Sequence, residues 1–517
     1  MNPSANNKRI AKNTFYLYIR MIVTLVIGLY TSRVFLEVLG VEDYGIYNIV
    51  GGFVAMLSIF TNTIRSAAQR FITYALGKGD SIKLQQTFST ILTLYLLISI
   101  IIFILGECFG VLFLDKLLVI PENRMSAAYF VFHCSLIAFV IHLLQIPFHA
   151  SIIAHERMNF FALMSIAEAV LKLLIVFLLY ASPFDSLKSY ALLLSIVSAI
   201  LFSIYVIYCR KSFPETKNQF RIHGEIFKEI FSYSIWVTIG SSSSVIKEQG
   251  VNIVINNFCG VAMNAAKGVS MQIEHAVNMF STNIGTAISP QITKSYASGD
   301  IARSIRLTFM MAKVRGILLL YLCVPLITEA DYVLSIWLKH VPDHAVLFTK
   351  WVLILCIART LDNSVVPLNL AVGKVKNVQI LGGGAMLLNL PIAILFLWMG
   401  ADPVSTVIVG IGIEFVVLLI VSLFLKRYID FPVLKFIIHP VSSVMLVAVF
   451  ALLIMYLFAG IMEQGFLRLI IVSTFSIVLV SLASYLVLLN EGEREVIKDF
   501  VKKKLMHKNN EFNSKNI

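Results

Sequence analysis

Ionisable side chains recur inside the apolar runs of this chain, where a charge costs a few kcal/mol unless it meets a partner or water. Arg20 lies in IRMIVTLVIGLY, and Lys172 lies in LKLLIVFLLY with Glu168 four residues before it. Lys247 and Glu248 are adjacent in SSSSVIKEQGVNIVI, Arg359 and Asp362 are three apart in CIARTLDNS, and Glu274, His275 and Glu414 fall in further apolar runs. Spacing limits what these groups can do. Glu168 and Lys172 stand at i and i+4, the favourable order for an ion pair on one helix. Arg359 and Asp362 share a helix face and can pair in the same way. Lys247 and Glu248 project about 100° apart, so they cannot simply neutralise each other. A buried set with several cations and few acids suits an anionic ligand. A pyrophosphate group matches it well, because an arginine fork takes two oxygens at once and a lysine acts as a point charge.

Each group also has a plainer reading. Arg20 and Arg33 could snorkel to the two membrane surfaces, and the two acid–base pairs could be ion pairs that glue helices together. Lys247 is the hardest to place in this way, since it lies far from either end of its run, after Gly240 and Ser241 to Ser244. That small, hydroxylic stretch marks a helix that faces a cavity or packs closely, not one facing lipid. Glu414 has no base near it in sequence. His133, His142 and His149 share one run, the last two a heptad apart, and fit core or rim packing better than a metal site. Six scattered cysteines form no C-x-x-C pair, so neither a disulfide framework nor a zinc site is expected. No nucleophile–base constellation or phosphate loop is present, which argues against an enzyme.

The elements that must hold these residues are membrane helices. The 517 residues are 58% hydrophobic and 14% charged, with mean hydropathy +0.85, whereas soluble proteins carry about 25% charged residues. We place fourteen spans, at about 14–35, 44–64, 87–113, 127–150, 160–180, 189–209, 233–256, 268–290, 308–328, 347–371, 378–399, 404–425, 437–460 and 468–490. The first is read as a retained span, not a cleaved signal. With both termini in the cytoplasm, the inner segments hold 30 of the 42 Lys and Arg residues and the outer segments eight. This asymmetry sets the orientation and explains the net charge of +13 without nucleic acid. Prolines 147, 290, 325, 367 and 391 and the glycines at 382–384 are candidate kinks or hinges.

The chain also repeats itself. Shifting residues 40–80 by 220 positions aligns them without a gap on 260–300, with nine identities ending in the shared Gly-Asp at 79–80 and 299–300. A duplicated helical bundle follows, as in many transporters. We divide the chain into an N-terminal lobe (1–209), a cytoplasmic linker (210–232) carrying a short amphipathic helix near 224–231, and a C-terminal lobe (233–425). Two further spans (426–490) and a basic cytoplasmic tail (491–517) complete it.

The opening NTFYLYIRMIVTLVIGLYTSRVFLEVLGVEDYGIYNIVGG and the following RSAAQRFITYALGKGD resemble the polysaccharide-transport (Wzx-type) flippases of the MOP exporter superfamily. That superfamily also contains the multidrug and toxin extrusion (MATE) transporters and the lipid II flippase. The resemblance is strongest over 13–85. It implies two six-helix lobes around a cationic cavity, and movement of undecaprenyl-pyrophosphate-linked oligosaccharide (an O-antigen, capsule or other lipopolysaccharide or polysaccharide unit) from inner to outer leaflet of the bacterial inner membrane. Arg65 and Arg70 match the basic end of span two, where related flippases carry cavity arginines. Arg20 and Lys247, on spans expected to be symmetry mates, would hold the pyrophosphate; Lys172 and Arg359 complete the cation set. Glu168, Glu248, Glu274 and Asp362 are the coupling or pairing acids, Glu248 or Glu274 competing for the cations once H⁺ or Na⁺ leaves. No cofactor is expected beyond such an ion. Partners implied are the lipid-linked oligosaccharide, membrane lipids, and a polysaccharide polymerase and chain-length proteins; the default state is a monomer. A multidrug exporter on the same scaffold is the alternative, disfavoured because its cavity should be acidic. A membrane polymerase or ligase would need a large outer loop, and the longest here, 329–346, is short.

Overall fold

Long runs of Leu, Ile, Val and Phe, broken by few prolines, can satisfy every backbone amide in lipid only as helices. The computed structural model describes residues 3–56, 58–117, 122–180, 183–217, 220–338 and 341–495. Within these residues the regular structure is helical, without strands. The helices are α1 (Pro3–Met56), α2 (Ser58–Lys78), α3 (Ser81–Leu117), α4 (Met125–Ala154), α5 (Met158–Tyr180), α6 (Ser186–Ser212), α7 (Gly224–Ala297) and α8 (Ile301–Thr328). They continue with α9 (Ala330–Trp337), α10 (Ala345–Val372), α11 (Val375–Leu387), α12 (Asn389–Trp398), α13 (Ser405–Ile429), α14 (Val433–Phe436), α15 (Ser442–Ala459) and α16 (Phe466–Ala483). The expected basic tail lies outside the described residues from 496 onward, as does the side chain of Arg33.

Among the described residues, ten segments are long and apolar enough to cross a membrane. They correspond to all the expected spans except 44–64, 233–256, 268–290 and 347–371. Those four stretches are helical as well, on α1, α2, α7 and α10, but three of them carry the buried charges that lower their hydropathy. Two expected connections are absent as breaks. The helical ladder runs through 36–43 inside the 54-residue α1 and through 257–267 inside the 74-residue α7. Neither stretch contains proline, and NFCGVAMNAAK is rich in alanine, the strongest helix former. At about 1.5 Å per residue, both helices exceed one hydrocarbon thickness. The break between α11 and α12 has an opposite cause: Pro391 removes an amide and crowds the preceding turn.

The internal repeat is visible in backbone detail. Gly79 and Gly299 both adopt positive φ (72° and 86°), the left-handed turn that a glycine accepts at a helix end. Asp80 and Asp300 each accept the backbone N–H three residues on, from Lys83 and Arg303, and so cap α3 and α8 identically. The two copies also touch. A Cβ on Gly77 would lie 2.7 Å from the Ala297 Cβ and 2.9 Å from the Lys294 backbone, so this helix crossing closes only on glycine.

The chain forms two compact units. Unit 1 comprises Met1–Val245, Asn283–Leu307 and Pro367–Gly384, and unit 2 comprises Ile246–Thr282, Thr308–Val366 and Ala385–Ile517. The core of unit 1 packs residues of α1 to α6 with the start of α7, including an edge-on and tilted aromatic cluster of Phe35, Tyr47 and Tyr190. The segment after α6 is fastened to α3, where the Ser89 and Thr90 hydroxyls accept the Arg221 and His223 N–H groups. The serine-rich stretch of α7 packs closely, the second of the two readings left open for it. A Cβ on Gly240 would collide with Gln379, and one on Gly383 with the Ser243 hydroxyl.

Two polar pins stand out in unit 1. Glu156, buried in a left-handed turn (φ 58°) between α4 and α5, receives Arg9 at 2.9 Å, Lys294 at 2.8 Å and the Gln291 amide at 2.5 Å. Arg70 donates to the Leu370 and Ala371 carbonyls at the end of α10, where the helix dipole is negative, with Phe71, Tyr74 and Tyr233 against its guanidinium. Unit 2 is tied by a buried Glu329–Arg468 pair at 2.8 Å, a Lys313–Glu493 pair at 2.7 Å, and a cluster of Phe309, Phe431 and Phe436.

Candidate functional site

Unit 2 gathers charges from α7, α10 and α13. Lys247 is 5% exposed, and its ammonium sits 2.9 Å from Glu414, itself 2% exposed. Glu414 also accepts Arg359 Nε at 3.3 Å. The other end of that guanidinium contacts Glu274 and lies 3.6 Å from Glu248. Lys267, far along α7, closes the group; with Lys247, Glu248, Glu274 and Arg359 it lines a cavity whose space, open mouth included, is about 500 Å³. Three bases (Lys247, Lys267, Arg359) thus face three acids (Glu248, Glu274, Glu414). The network is balanced.

This arrangement revises two sequence pairings. Arg359 turns to Glu274 and Glu414 and makes no ion pair with Asp362, which shares its helix but not its direction. Glu414, which has no base within its own stretch of sequence, is the hub for two bases 167 and 55 residues away. Asp362 is 4% exposed; its Oδ1 and the Asn389 Oδ1 are buried acceptors without a hydrogen-bond partner among the described residues. Buried Arg315, inside the expected span 308–328, is a further cation that the sequence analysis did not single out. It donates to Ser281 at 2.9 Å and to the Asn363 carbonyl at 3.0 Å.

Unit 1 holds a second cluster of different balance. Arg20 of α1 lies over the Phe161 ring at 4.7 Å and donates to Asn283 at 3.1 Å. Phe161 in turn packs edge-on against His149 at 4.6 Å. Arg65 of α2 donates to His142 Nε2 at 3.1 Å. Lys172 and Glu168 close their expected pair at 2.7 Å, each side chain 42% exposed. Arg65, Glu168 and Lys172 all act electrostatically on His142, and Arg65, Arg20 and His142 on His149. Three permanent cations therefore accompany one carboxylate. The Nε donors of Arg20 and Arg65 are buried without a partner among the described residues.

The ten residues singled out by sequence thus divide three ways. Arg20, Arg65, Lys172 and Glu168 meet in unit 1; Lys247, Glu248, Glu274 and Arg359 meet in unit 2, with Asp362 beside them. Arg70 joins neither, because α10 takes its donors. Of the three histidines, His149 packs among aromatic rings, while the other two have polar partners. His142 is exposed and partners Arg65, and His133 meets Glu107 at 3.0 Å. No group of His, Cys, Asp and Glu among the described residues is arranged to hold a metal.

A family model described as polysaccharide biosynthesis protein matches residues 10–296. A relative from Bacillus subtilis (strain 168), the uncharacterized membrane protein EpsK, is 21% identical over 324 residues. The alignment covers 61% of this chain and 63% of EpsK, so the chain spans a little under two thirds of that relative's length. Among solved structures, a MATE transporter in complex with MaD3S superposes with TM-score 0.69 at 14% identity, over 82% of this chain and 97% of its own. An outward-facing MATE-family multidrug resistance transporter of the MOP superfamily gives 0.68 at 14% identity, over 82% and 96%. A MOP-superfamily transporter from Pyrococcus furiosus, for which reverse polarity of the binding pocket suggests a different function, gives 0.67 at 14%, over 83% and 96%.

Proposed function

This chain belongs to the polysaccharide biosynthesis protein family and is a multi-pass membrane protein with the MATE-like fold of the MOP superfamily, and from that premise we propose that it is a flippase for a lipid-linked oligosaccharide. The ligand gripped is the pyrophosphate that joins lipid to glycan, and the site is the unit 1 cluster. One observation carries this reading: Arg20, Arg65 and Lys172 outnumber Glu168, and the Lys172 and Glu168 side chains are each 42% exposed. At membrane depth, charges this exposed need water around them, so they line an aqueous path. The Nε donors of Arg20 and Arg65 lack partners among the described residues, and each charge-assisted bond from these guanidinium groups to a phosphate oxygen would contribute about 1.5–3 kcal/mol.

Unit 2 has a different role in this account. Lys247 and Arg359 are already ion-paired there, so Lys247 serves the Glu414 pair in place of the phosphate. The acids there, with the orphaned Asp362 and Asn389 oxygens, suit exchange of H⁺ or Na⁺ coupled to transport. A multidrug exporter of cations is disfavoured by the excess of bases in unit 1. The test is complementation of surface polysaccharide in cells lacking the gene. Arg20→Ala with Arg65→Ala should abolish it at normal protein level in the inner membrane. Full activity in that double variant would end the assignment.

A further inference from the structure

The Arg65–His142 contact fixes the state of the histidine. A guanidinium has only donors, so at 3.1 Å the His142 Nε2 must present its lone pair. The ring is therefore neutral, with its proton on Nδ1. A proton on Nε2 would turn the hydrogen bond into a clash of two donors and two charges, beside Lys172, with Arg20 also bearing on the neighbouring His149.

An anion at the cluster reverses that balance. A phosphate that engages Arg65 bidentately, at the unpartnered Nε and at Nη2, takes the donor that His142 now holds and frees Nε2. The freed ring, on the exposed side of α4, can then bind a proton and donate to the same phosphate. The groups that bear on this event come from every neighbouring helix: Arg65 from α2, Glu168 and Lys172 from α5, and His149 on α4 itself. Behind these stand Arg20 on α1, Tyr95 on α3, which faces Arg65, and Tyr205 on α6, which faces Arg20 and Glu168. Only Glu168 among them is an acid that could favour the charged ring without a ligand, and Lys172 already holds it at 2.7 Å. The ligand itself is thus the missing counter-charge.

We propose that His142 is the proton-linked member of the anion site: a diphosphate enters together with one proton, which His142 Nε2 carries as a hydrogen-bond donor to the phosphate. This rests on the reading of unit 1 as the diphosphate site, and it names a positioning and specificity residue which that reading lacked. Because binding and protonation are reciprocal, affinity should fall by up to about tenfold per pH unit above the ring's titration.

The experiment is calorimetric. The full chain in nanodiscs is titrated with a short-chain isoprenyl diphosphate capped by a sugar. Both phosphates of that probe are esterified and do not themselves titrate between about pH 5 and 8. Binding heats in buffers of different ionisation enthalpy give the protons taken up per anion. Near neutral pH the wild type should take up a proton, and its affinity should weaken as pH rises. His142→Gln keeps an acceptor for Arg65 and cannot titrate, so it should bind with no proton uptake and a flat pH profile. His142→Lys, permanently charged, should bind tightly with an equally flat profile. Binding by the wild type without proton uptake, or a His142→Gln profile as steep as the wild type's, overturns the proposal and leaves the diphosphate site standing. No binding by the wild type at any pH overturns both.

Discussion

Glu414 is the residue on which unit 2 should be most sensitive. Glu414→Gln removes the charge that holds Lys247 at 2.9 Å and Arg359 Nε at 3.3 Å. Arg359 keeps Glu274, but Lys247, 5% exposed, loses its ion-pair partner and keeps only the through-space charge of Asp362. Breaking a buried pair by removing one member costs about 3–5 kcal/mol, because the surviving charge stays desolvated. Lys247→Met should cost less, since Glu414 then still has Arg359. The double variant Lys247→Met/Glu414→Leu removes both charges and fills the space with apolar atoms, so it should recover most of the loss. Denaturant titration of the purified chain in detergent measures all three. The reasoning fails if Glu414→Gln lies within about 1 kcal/mol of wild type, or if the double variant is no more stable than Glu414→Gln.

Three further expectations follow from named contacts. Gly373 has φ 81°, and a Cβ there would come within 2.2 Å of Arg70 Nη2. Gly373→Ala should therefore cost at least about 1–2 kcal/mol in the same titration, and Arg70→Ala should relieve only the collision, not the backbone strain. Glu156→Gln should lower thermal stability by weakening its bonds to Arg9 and Lys294; because Glu156 is buried, added salt should not reproduce that loss. Asp185 sits partly buried, which opposes its ionisation, but the Lys188 N–H and the Arg124 guanidinium hold its carboxyl below the ordinary value. Its stabilising effect is thus complete above the ordinary carboxylate range and is lost as pH falls below about 4. Acid unfolding of Asp185→Asn should show a smaller loss over that window than wild type.

How far these contacts were legible in sequence depends on how far apart the partners lie. Glu168 and Lys172 are one turn apart on one helix, and their pair closes as spacing requires. The repeat was legible because its Gly-Asp turns must keep one backbone geometry, seen at Gly79 and Gly299. The partners of Lys247, Arg359 and Arg65 are 55 to 167 residues distant, and no local pattern reports which helix faces which. Arg70 illustrates the same limit, since its acceptors are backbone carbonyls at Leu370 and Ala371, which carry no side-chain signature. Lys267 looked like an outer-loop charge because helix and loop differ little in composition over 257–267. Only the continuous α7 brings it to the cavity.

The measurement that bears most directly on the central claim is made in the native cell, with this gene deleted and the glycosyltransferases intact. Lipid-linked oligosaccharide is extracted and assigned to a leaflet by its accessibility to a membrane-impermeant glycan-modifying reagent. The account requires completed units to accumulate on the cytoplasmic leaflet, relieved by the wild-type chain and not by Arg20→Ala/Arg65→Ala. Normal surface glycan with no accumulation, or units stranded on the outer leaflet, would contradict it.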